Sequence, residues 1–239
     1  MSRRGGHRFG DKDMRHQRIW SMSRFRRKRT CSGGPGEADL ALFGATRRKP
    51  AIDDGAALAA FMDAEADAFA TGAVDDYARA RAQTDTLELF AEPRFAAMLA
   101  TARAEAFPLA LTMVAEMIES ALSPQPSDRA ARLRGLIAVA REVFERRSEP
   151  LPTAAEDTAG IAMARWLGDA ASHLPRTTDE IVEPFAPSML ALMPIHDALG
   201  PDDYRLLRSA LRATLAAIRD RFISAMDAPA LAAALEAGE

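Results

Sequence analysis

The acidic side chains near residue 180 come closest to a chemical site in this chain of 239 residues. Asp179, Glu180 and Glu183 lie within five positions, so a helix would place their oxygens on one face. Carboxylate oxygens arranged in this way can hold Mg²⁺ against a diphosphate. The competing interpretation is that these residues occupy the first turn of a helix, where the helix dipole favours negative charge. The pattern favours the second interpretation.

A Mg²⁺ site for a diphosphate also needs a second acidic cluster across a cavity, as in helical enzymes that act on prenyl diphosphates. The chain offers two aspartate pairs for that role, Asp75-Asp76 and Asp202-Asp203. Neither pair has the aspartate spacing that those enzymes use. A helical enzyme of this kind therefore stays the alternative interpretation.

Glu116 is the ionisable residue embedded in the most apolar segment of the chain, between Ala115 and Met117. A carboxylate buried there would have a raised pKa and would be a candidate for a functional group. The pattern favours a second possibility, in which Thr112, Glu116 and Glu119 form a narrow polar edge that faces water. The alternative ligand site comprises Glu116, Asp179, Glu180 and Glu183.

Metal-binding patterns are weak in this sequence. Neither His173 nor His196 has a glutamate three residues before it, as helical carboxylate metal sites require, and Cys31 is the single cysteine. Met189, Met193 and His196 have the spacing of one helical face, and their thioether and imidazole groups would suit Cu(I). A methionine stripe is more often core packing. We predict no structural metal and no cofactor.

Nucleophile and nucleotide motifs are missing as well. The sequence has no Gly-x-Ser-x-Gly elbow, and its scattered glycines form neither a phosphate-binding loop nor a dinucleotide fingerprint. We therefore identify no catalytic residue. Whether the chain is an enzyme stays open at this stage, with the preference for a protein without catalysis.

The charge of the chain is divided unevenly between its two parts. Residues 1–50 contain 14 Lys and Arg against 4 Asp and Glu, whereas residues 51–239 contain 17 basic and 30 acidic residues. The densest basic run supplies the predicted polyanion-binding residues: Arg24, Arg26, Arg27, Lys28 and Arg29. We expect this run to bind an anionic membrane surface. Nucleic acid is a less favoured partner, and tethering to the acidic part of the same chain needs no partner at all.

The first 52 residues are predicted to form a disordered tail and linker, because they have few large apolar side chains and no sustained period. No apolar stretch follows the basic run, so export is not indicated and the cytoplasm is the expected location, with a peripheral association with the membrane. Translation could begin at Met1 or at Met22. The abundance of alanine and arginine is typical of a bacterial, GC-rich coding style.

From residue 53 onward the apolar period is helical nearly everywhere, which predicts an all-α domain over 53–239. We expect six to eight helices in an orthogonal or irregular bundle. Asp53 or Asp54 would cap a first helix that ends at Gly72.

A short second helix is predicted over 74–83, and a long third one begins at Pro93 and continues through a kink at Pro108. Ser127 would cap the next helix, which ends near Arg147, and another follows over 153–173. Thr177 or Thr178, with Glu180, would begin a helix that the prolines at 184, 187 and 194 bend or break before Gly200. The last long helix is predicted over 202–226, with a short helix from Pro229.

Apolar spacing also predicts which faces are buried. Ala106 to Ile118 is almost unbroken in its apolar character and should be the most buried stretch of the chain. The last long helix should bury Leu207, Leu211, Thr214, Ile218 and Phe222. Its opposite face carries an arginine stripe that would either read an anionic partner or lie solvated beside neighbouring acids: Arg205, Arg208, Arg212 and Arg219.

These patterns favour a non-catalytic, adaptor-like binding or assembly protein with a basic tail that binds polyanions. The partner would be another protein, with an anionic membrane surface as a second partner through the tail. The alternative is a helical enzyme or ligand-binding protein for an anionic or prenyl-type small molecule. An enzyme should show a deep cavity with converging polar groups, whereas an adaptor should show an exposed apolar groove. The sequence predicts no particular oligomeric state.

Overall fold

A computed structural model of the chain describes residues 51–82, 86–147, 174–194 and 201–238. Within these ranges the only β-type pairing is a single bridge between Ile52 and Met226. The prediction of an all-α fold is confirmed, and the helices of the described ranges agree with the expected six to eight. They are α1 (Gly55–Ala82), α2 (Thr86–Ala91), α3 (Pro93–Leu122), α4 (Arg129–Arg147), α5 (Thr178–Ala191), α6 (Pro201–Ala225) and α7 (Ala228–Ala237).

Helix α1 is longer than the sequence predicted. Asp54 caps it, because its Oδ1 accepts a hydrogen bond of 2.7 Å from the backbone N of Ala57. The predicted end at Gly72 is wrong, since the helix continues through this residue to Ala82. Beyond Gly72, Val74 and Tyr77 are almost fully buried. Tertiary packing of this extra segment outweighs the roughly 1 kcal/mol that a glycine costs inside a helix.

Helix α3 lies at the centre of the fold and contacts α1, α2, α4, α5 and α6. It begins at Pro93 and runs through Pro108, as predicted. Every residue from Ala106 to Glu119 is buried, so the expectation that 106–118 is the most buried stretch is confirmed within the described ranges. Pro108 has no N–H for the helix ladder, but its carbonyl accepts a 2.8 Å hydrogen bond from Oγ1 of Thr112.

Among the described helices, α3 alone has the length and mean hydropathy of a membrane-spanning helix. Its most apolar window is mostly buried inside the protein. The central helix of a folded domain meets the same criteria of length and composition. The burial of α3 among five other helices is that of such a core helix.

The cap of helix α4 lies one residue later than predicted. Asp128 is the capping residue, because its Oδ1 accepts hydrogen bonds from the backbone N atoms of Ala130 at 2.9 Å and Ala131 at 3.3 Å. The predicted cap, Ser127, instead accepts a hydrogen bond from the Arg132 side chain. An aspartate and a serine compete here for the same role, and only the local backbone path decides between them.

Helix α5 is capped by Thr177, one of the two predicted start residues, which forms a capping box with Glu180. The helix continues through Pro184 and Pro187, so neither proline breaks it. Helix α6 buries four of the five predicted residues, but Thr214 is exposed and Leu215 is buried in its place. The buried face of α6 therefore includes Leu215, whose side chain is larger and more apolar than that of Thr214. Helix α7 begins as predicted beside Pro229, after the cap by Asp227.

Two packing contacts complete the fold around α3. Helix α5 lies against α6, and α7 lies against α4. The α4–α7 contact is close enough that a Cβ built on Gly135 would lie 2.1 Å from the backbone oxygen of Leu235. The tail, the predicted helix over 153–173 with Trp166 and His173, and His196 lie outside the described residues.

Candidate functional site

The acidic residues at the start of α5 make separate contacts. Glu180 belongs to the capping box, where its Oε2 accepts hydrogen bonds of 2.8 Å from both the backbone N and Oγ1 of Thr177. These backbone and side-chain hydrogen bonds from Thr177 lower the pKa of Glu180 below its ordinary value. Glu180 therefore takes part in capping α5 through its Oε2.

Asp179 and Glu183 face the arginine stripe of α6. Arg208 and Arg212 both contact Oε2 of Glu183, and Arg212 also lies 3.3 Å from Oδ1 of Asp179. The hydroxyl of Tyr204 donates a 3.4 Å hydrogen bond to Oε1 of Glu183. The acidic cluster and the basic stripe thus pair with each other across the α5–α6 contact.

Glu116 lies elsewhere, inside the buried half of α3. Its Oε2 is 3.4 Å from Nη1 of Arg176, and the backbone N of Arg176 donates a 3.1 Å hydrogen bond to Oγ of Ser120. The predicted polar edge facing water is wrong, because Thr112, Glu116 and Glu119 are all buried, at 0%, 3% and 4% exposure. The segment that precedes α5 and the start of α4 cover this edge, which sequence periodicity cannot reveal.

Glu119 forms the tightest of these buried contacts. Nε and Nη2 of Arg129 both donate to its Oε1, the former at 3.0 Å. Each carboxylate on this edge is therefore matched by an arginine from a neighbouring segment, which is the usual condition for burying a charge. Of the four residues of the alternative ligand site, Asp179 and Glu183 share Arg212, whereas Glu180 caps α5 and Glu116 pairs with Arg176.

The two aspartate pairs are also engaged with arginines. Asp75 accepts hydrogen bonds from Nε and Nη2 of Arg103 at 2.8 and 2.6 Å, and Asp203 pairs with Arg81 at 3.3 Å. Tyr77 lies beside Asp203, and its burial, with the nearby carboxylate, raises the pKa of its hydroxyl. Asp75 and Asp203 connect α1 to α3 and α1 to α6 respectively.

Methionines of the proposed soft-metal site are part of the core. Met189 and Met193 are both fully buried, and His196 lies outside the described ranges. Among the residues that the structure describes, no group of three or more His, Cys, Asp or Glu side chains converges as metal ligands. Because His196 is outside these ranges, the choice between core packing and a soft-metal site for Met189, Met193 and His196 stays a prediction.

A cavity of about 350 Å³ lies between α1, α3 and α4, and sequence analysis did not identify it. Its walls are formed by Asp67, Thr71, Ala100, Arg103, Ala104, Phe107, Pro108, Phe144 and Arg147. The guanidinium of Arg147 lies 4.6 Å from the ring centroid of Phe107 and pairs with Asp63 and Asp67. In the sequence, Phe107 is one residue of an apolar run and Arg147 is a basic residue at the end of a helix, and neither pattern predicts a cavity.

A second, more open groove of about 440 Å³ runs between the first half of α3 and the end of α5. Met98 lies on it and is 42% exposed, which is high for a large apolar side chain in this domain. Its other apolar walls come from Ala97, Leu192 and Pro194. The groove is therefore a partly apolar, solvent-exposed surface of the described residues.

Comparison with known proteins adds no assignment. No protein-family model matches the chain, and neither curated proteins nor solved structures give a significant match. The function must therefore be inferred from the contacts and charges of this chain alone.

Proposed function

We propose that this protein is a non-catalytic binding or assembly protein, whose basic tail attaches an acidic helical domain to an anionic surface. The observation that carries the proposal is that three of the four arginines in the α6 stripe are paired with acidic side chains of the domain. Arg208 and Arg212 of the α6 stripe contact Asp179 and Glu183, and Arg205 contacts Asp202. The α6 stripe is thus largely neutralised within the domain, so the tail is the better candidate for binding polyanions.

The composition of the tail supports the same inference. Five cations between Arg24 and Arg29 each contribute on the order of 1 kcal/mol beside an anionic membrane surface. The folded domain, with 30 acidic against 17 basic residues after residue 50, is repelled by the same surface. A tail that binds and a domain that stays in solution are the two parts that a tethered binding protein requires.

The open groove beside Met98 supports a binding role for the domain itself. An exposed apolar surface rimmed by polar side chains is typical of protein interaction sites. Arg94 and Glu105 are the charged residues of its rim. The acidic candidates for Mg²⁺ chemistry, by contrast, are occupied by arginines or by a helix cap, which removes the main support for a diphosphate enzyme.

Vesicle binding tests the proposal with a charge-matched control. In one variant of the full chain, glutamine replaces the five tail cations: Arg24, Arg26, Arg27, Lys28 and Arg29. In the control, glutamine replaces five exposed arginines of the domain, which changes the net charge equally: Arg94, Arg134, Arg141, Arg205 and Arg219.

We expect the wild type and the domain variant to sediment with vesicles that contain phosphatidylserine, and to be released by salt. The tail variant should not sediment, and vesicles of phosphatidylcholine alone should bind none of the three chains. Equal binding by the tail variant and the wild type would refute the proposal. Binding to single-stranded RNA but not to vesicles would replace the membrane with nucleic acid as the partner.

A further inference from the structure

The cavity between α1, α3 and α4 has the size and walls of a small-molecule site. Its volume of about 350 Å³ falls within the range of about 300–1,000 Å³ that is typical of ligand pockets. Phe107, Pro108 and Phe144 form an apolar wall with two alanines of α3. A wall of this kind can hold an aromatic or hydrocarbon body of modest size.

Two arginines line the same cavity in fixed orientations. Asp75 holds Arg103 through Nε and Nη2, and Asp63 with Asp67 holds Nε and Nη1 of Arg147. Phe107 supports the flat face of the Arg147 guanidinium. An arginine that is held in this way loses little rotamer freedom when it binds a ligand.

Neither guanidinium uses all of its donors in these contacts. Arginine has five N–H donors, and among the described residues no acceptor contacts Nη1 of Arg103 or Nη2 of Arg147. Both arginine side chains are about one third exposed, at 36%, so a ligand can reach them. The remaining N–H groups are suited to the paired oxygens of a carboxylate.

The carboxylates that hold the two arginines balance the charge at the cavity. Asp67 lines the cavity, and Asp63 and Asp75 pair with the same guanidinium groups from beside it. The cavity therefore offers a ligand the uncontacted N–H groups of two held arginines next to an apolar wall, and this geometry, not an excess of positive charge, supports binding of a carboxylate.

We propose that this cavity binds a small amphipathic carboxylate. The carboxylate accepts hydrogen bonds from Arg103 and Arg147, and the apolar body packs against Phe107, Pro108 and Phe144. A neutral amide of the same shape lacks the charge that the guanidinium groups recognise. The proposal does not depend on the tail, since the residues that carry it all belong to α1, α3 and α4.

Fluorine NMR of the full chain tests this site with 4-(trifluoromethyl)benzoate as the probe and 4-(trifluoromethyl)benzamide as its neutral match. Ala104→Leu fills the cavity from an exposed position of α3. Ala96→Leu adds the same side chain two turns earlier on α3, at an exposed position that does not line the cavity. Arg147→Lys keeps the charge but removes the planar pair of donors.

We expect saturable binding of the benzoate to the wild type and to Ala96→Leu, and much weaker binding of the benzamide. The Kd for benzoate should rise by about tenfold or more in Ala104→Leu and in Arg147→Lys. Thermal unfolding of each variant verifies that it is folded. An unchanged Kd in Ala104→Leu would place the benzoate on the basic tail or elsewhere and overturn the proposal. The absence of saturable binding to the wild type, or equal affinity for benzamide, would also overturn it.

Discussion

The contact between α4 and α7 depends on one glycine, and the substitution Gly135→Ala tests it. A Cβ at this position would lie 2.1 Å from the backbone oxygen of Leu235 and 2.8 and 2.9 Å from its C and Cα atoms. Ordinary contacts of a Cβ begin near 3.4 Å. All three clashing atoms belong to the backbone, so no side-chain rotation can relieve the overlap. The helices must separate by about 1 Å or more in a close-packed interior.

The magnitude follows from two opposing effects. Overpacking of a core costs about 1–3 kcal/mol, and a clash with backbone belongs at the upper end of that range. Alanine is more favourable than glycine inside a helix by about 1 kcal/mol. We therefore expect the free energy of unfolding to fall by about 2 kcal/mol. In a domain of this size the midpoint of thermal unfolding should fall by about 4–8 °C.

Urea unfolding followed by circular dichroism measures this loss, and Gly72→Ala provides the matched control. Gly72 also lies inside a helix, but a Cβ there would have nothing within 4 Å. This variant should gain about 0.5–1 kcal/mol, because only the helix propensity changes. If Gly135→Ala is as stable as the wild type while Gly72→Ala gains stability, α4 and α7 do not pack at the described distance.

Two further predictions concern polar contacts. Arg129→Met leaves the carboxylate of Glu119 buried without its partner and should lower the free energy of unfolding by about 3 kcal/mol, and the double variant with Glu119→Met should recover most of the loss. No recovery in the double variant would contradict the buried pairing. Thr177→Ala removes the cap of α5 and should cost about 1 kcal/mol at neutral pH. The variant keeps the backbone N–H of residue 177, which is the largest cause of the lowered pKa of Glu180, and loses the hydrogen bond from Oγ1 to the Glu180 carboxylate. Because that hydrogen bond lowers the pKa of Glu180 in the folded state, its part of the loss is present above the ordinary carboxyl pKa of about 4.5 and disappears as the pH falls. Urea unfolding at pH 7 and pH 3.5 should therefore give a smaller difference between Thr177→Ala and the wild type at the lower pH, and an equal difference would contradict the hydrogen bond between Thr177 Oγ1 and Glu180.

Local chemistry was enough to predict much of the helical framework. Asp54 capped α1, Pro93 began α3, and Thr177 with Glu180 formed the capping box, because each of these signals acts within one turn of the chain. The buried half of α3 followed from its unbroken apolar run. The error at Gly72 has an identifiable cause. A glycine near the end of an apolar period often ends a helix, but here the packing of the residues after Gly72 keeps α1 helical to Ala82.

Candidate sites were less predictable than helices. Asp179 and Glu183 were recognisable as acidic residues, but their pairing with Arg208 and Arg212 depends on how α5 lies against α6. Glu116 was expected at a water-facing edge, because its periodicity is the same whether the neighbouring segment covers it or not. The sequence shows which residues are charged, but only the packing of the helices decides which of them pair with each other and which can still bind a ligand.

The sequence by itself determined the all-α class, most helix starts and the division between a basic tail and an acidic remainder, since composition and short-range periodicity specify these properties. Only the tertiary structure decided that Gly135 must lack a side chain and that Arg103, Phe107 and Arg147 border one cavity. The physical reason is distance along the chain. Gly135 is 100 positions from Leu235 and Arg147 is 40 from Phe107, and the energy of such contacts depends on helix crossings that no single segment encodes.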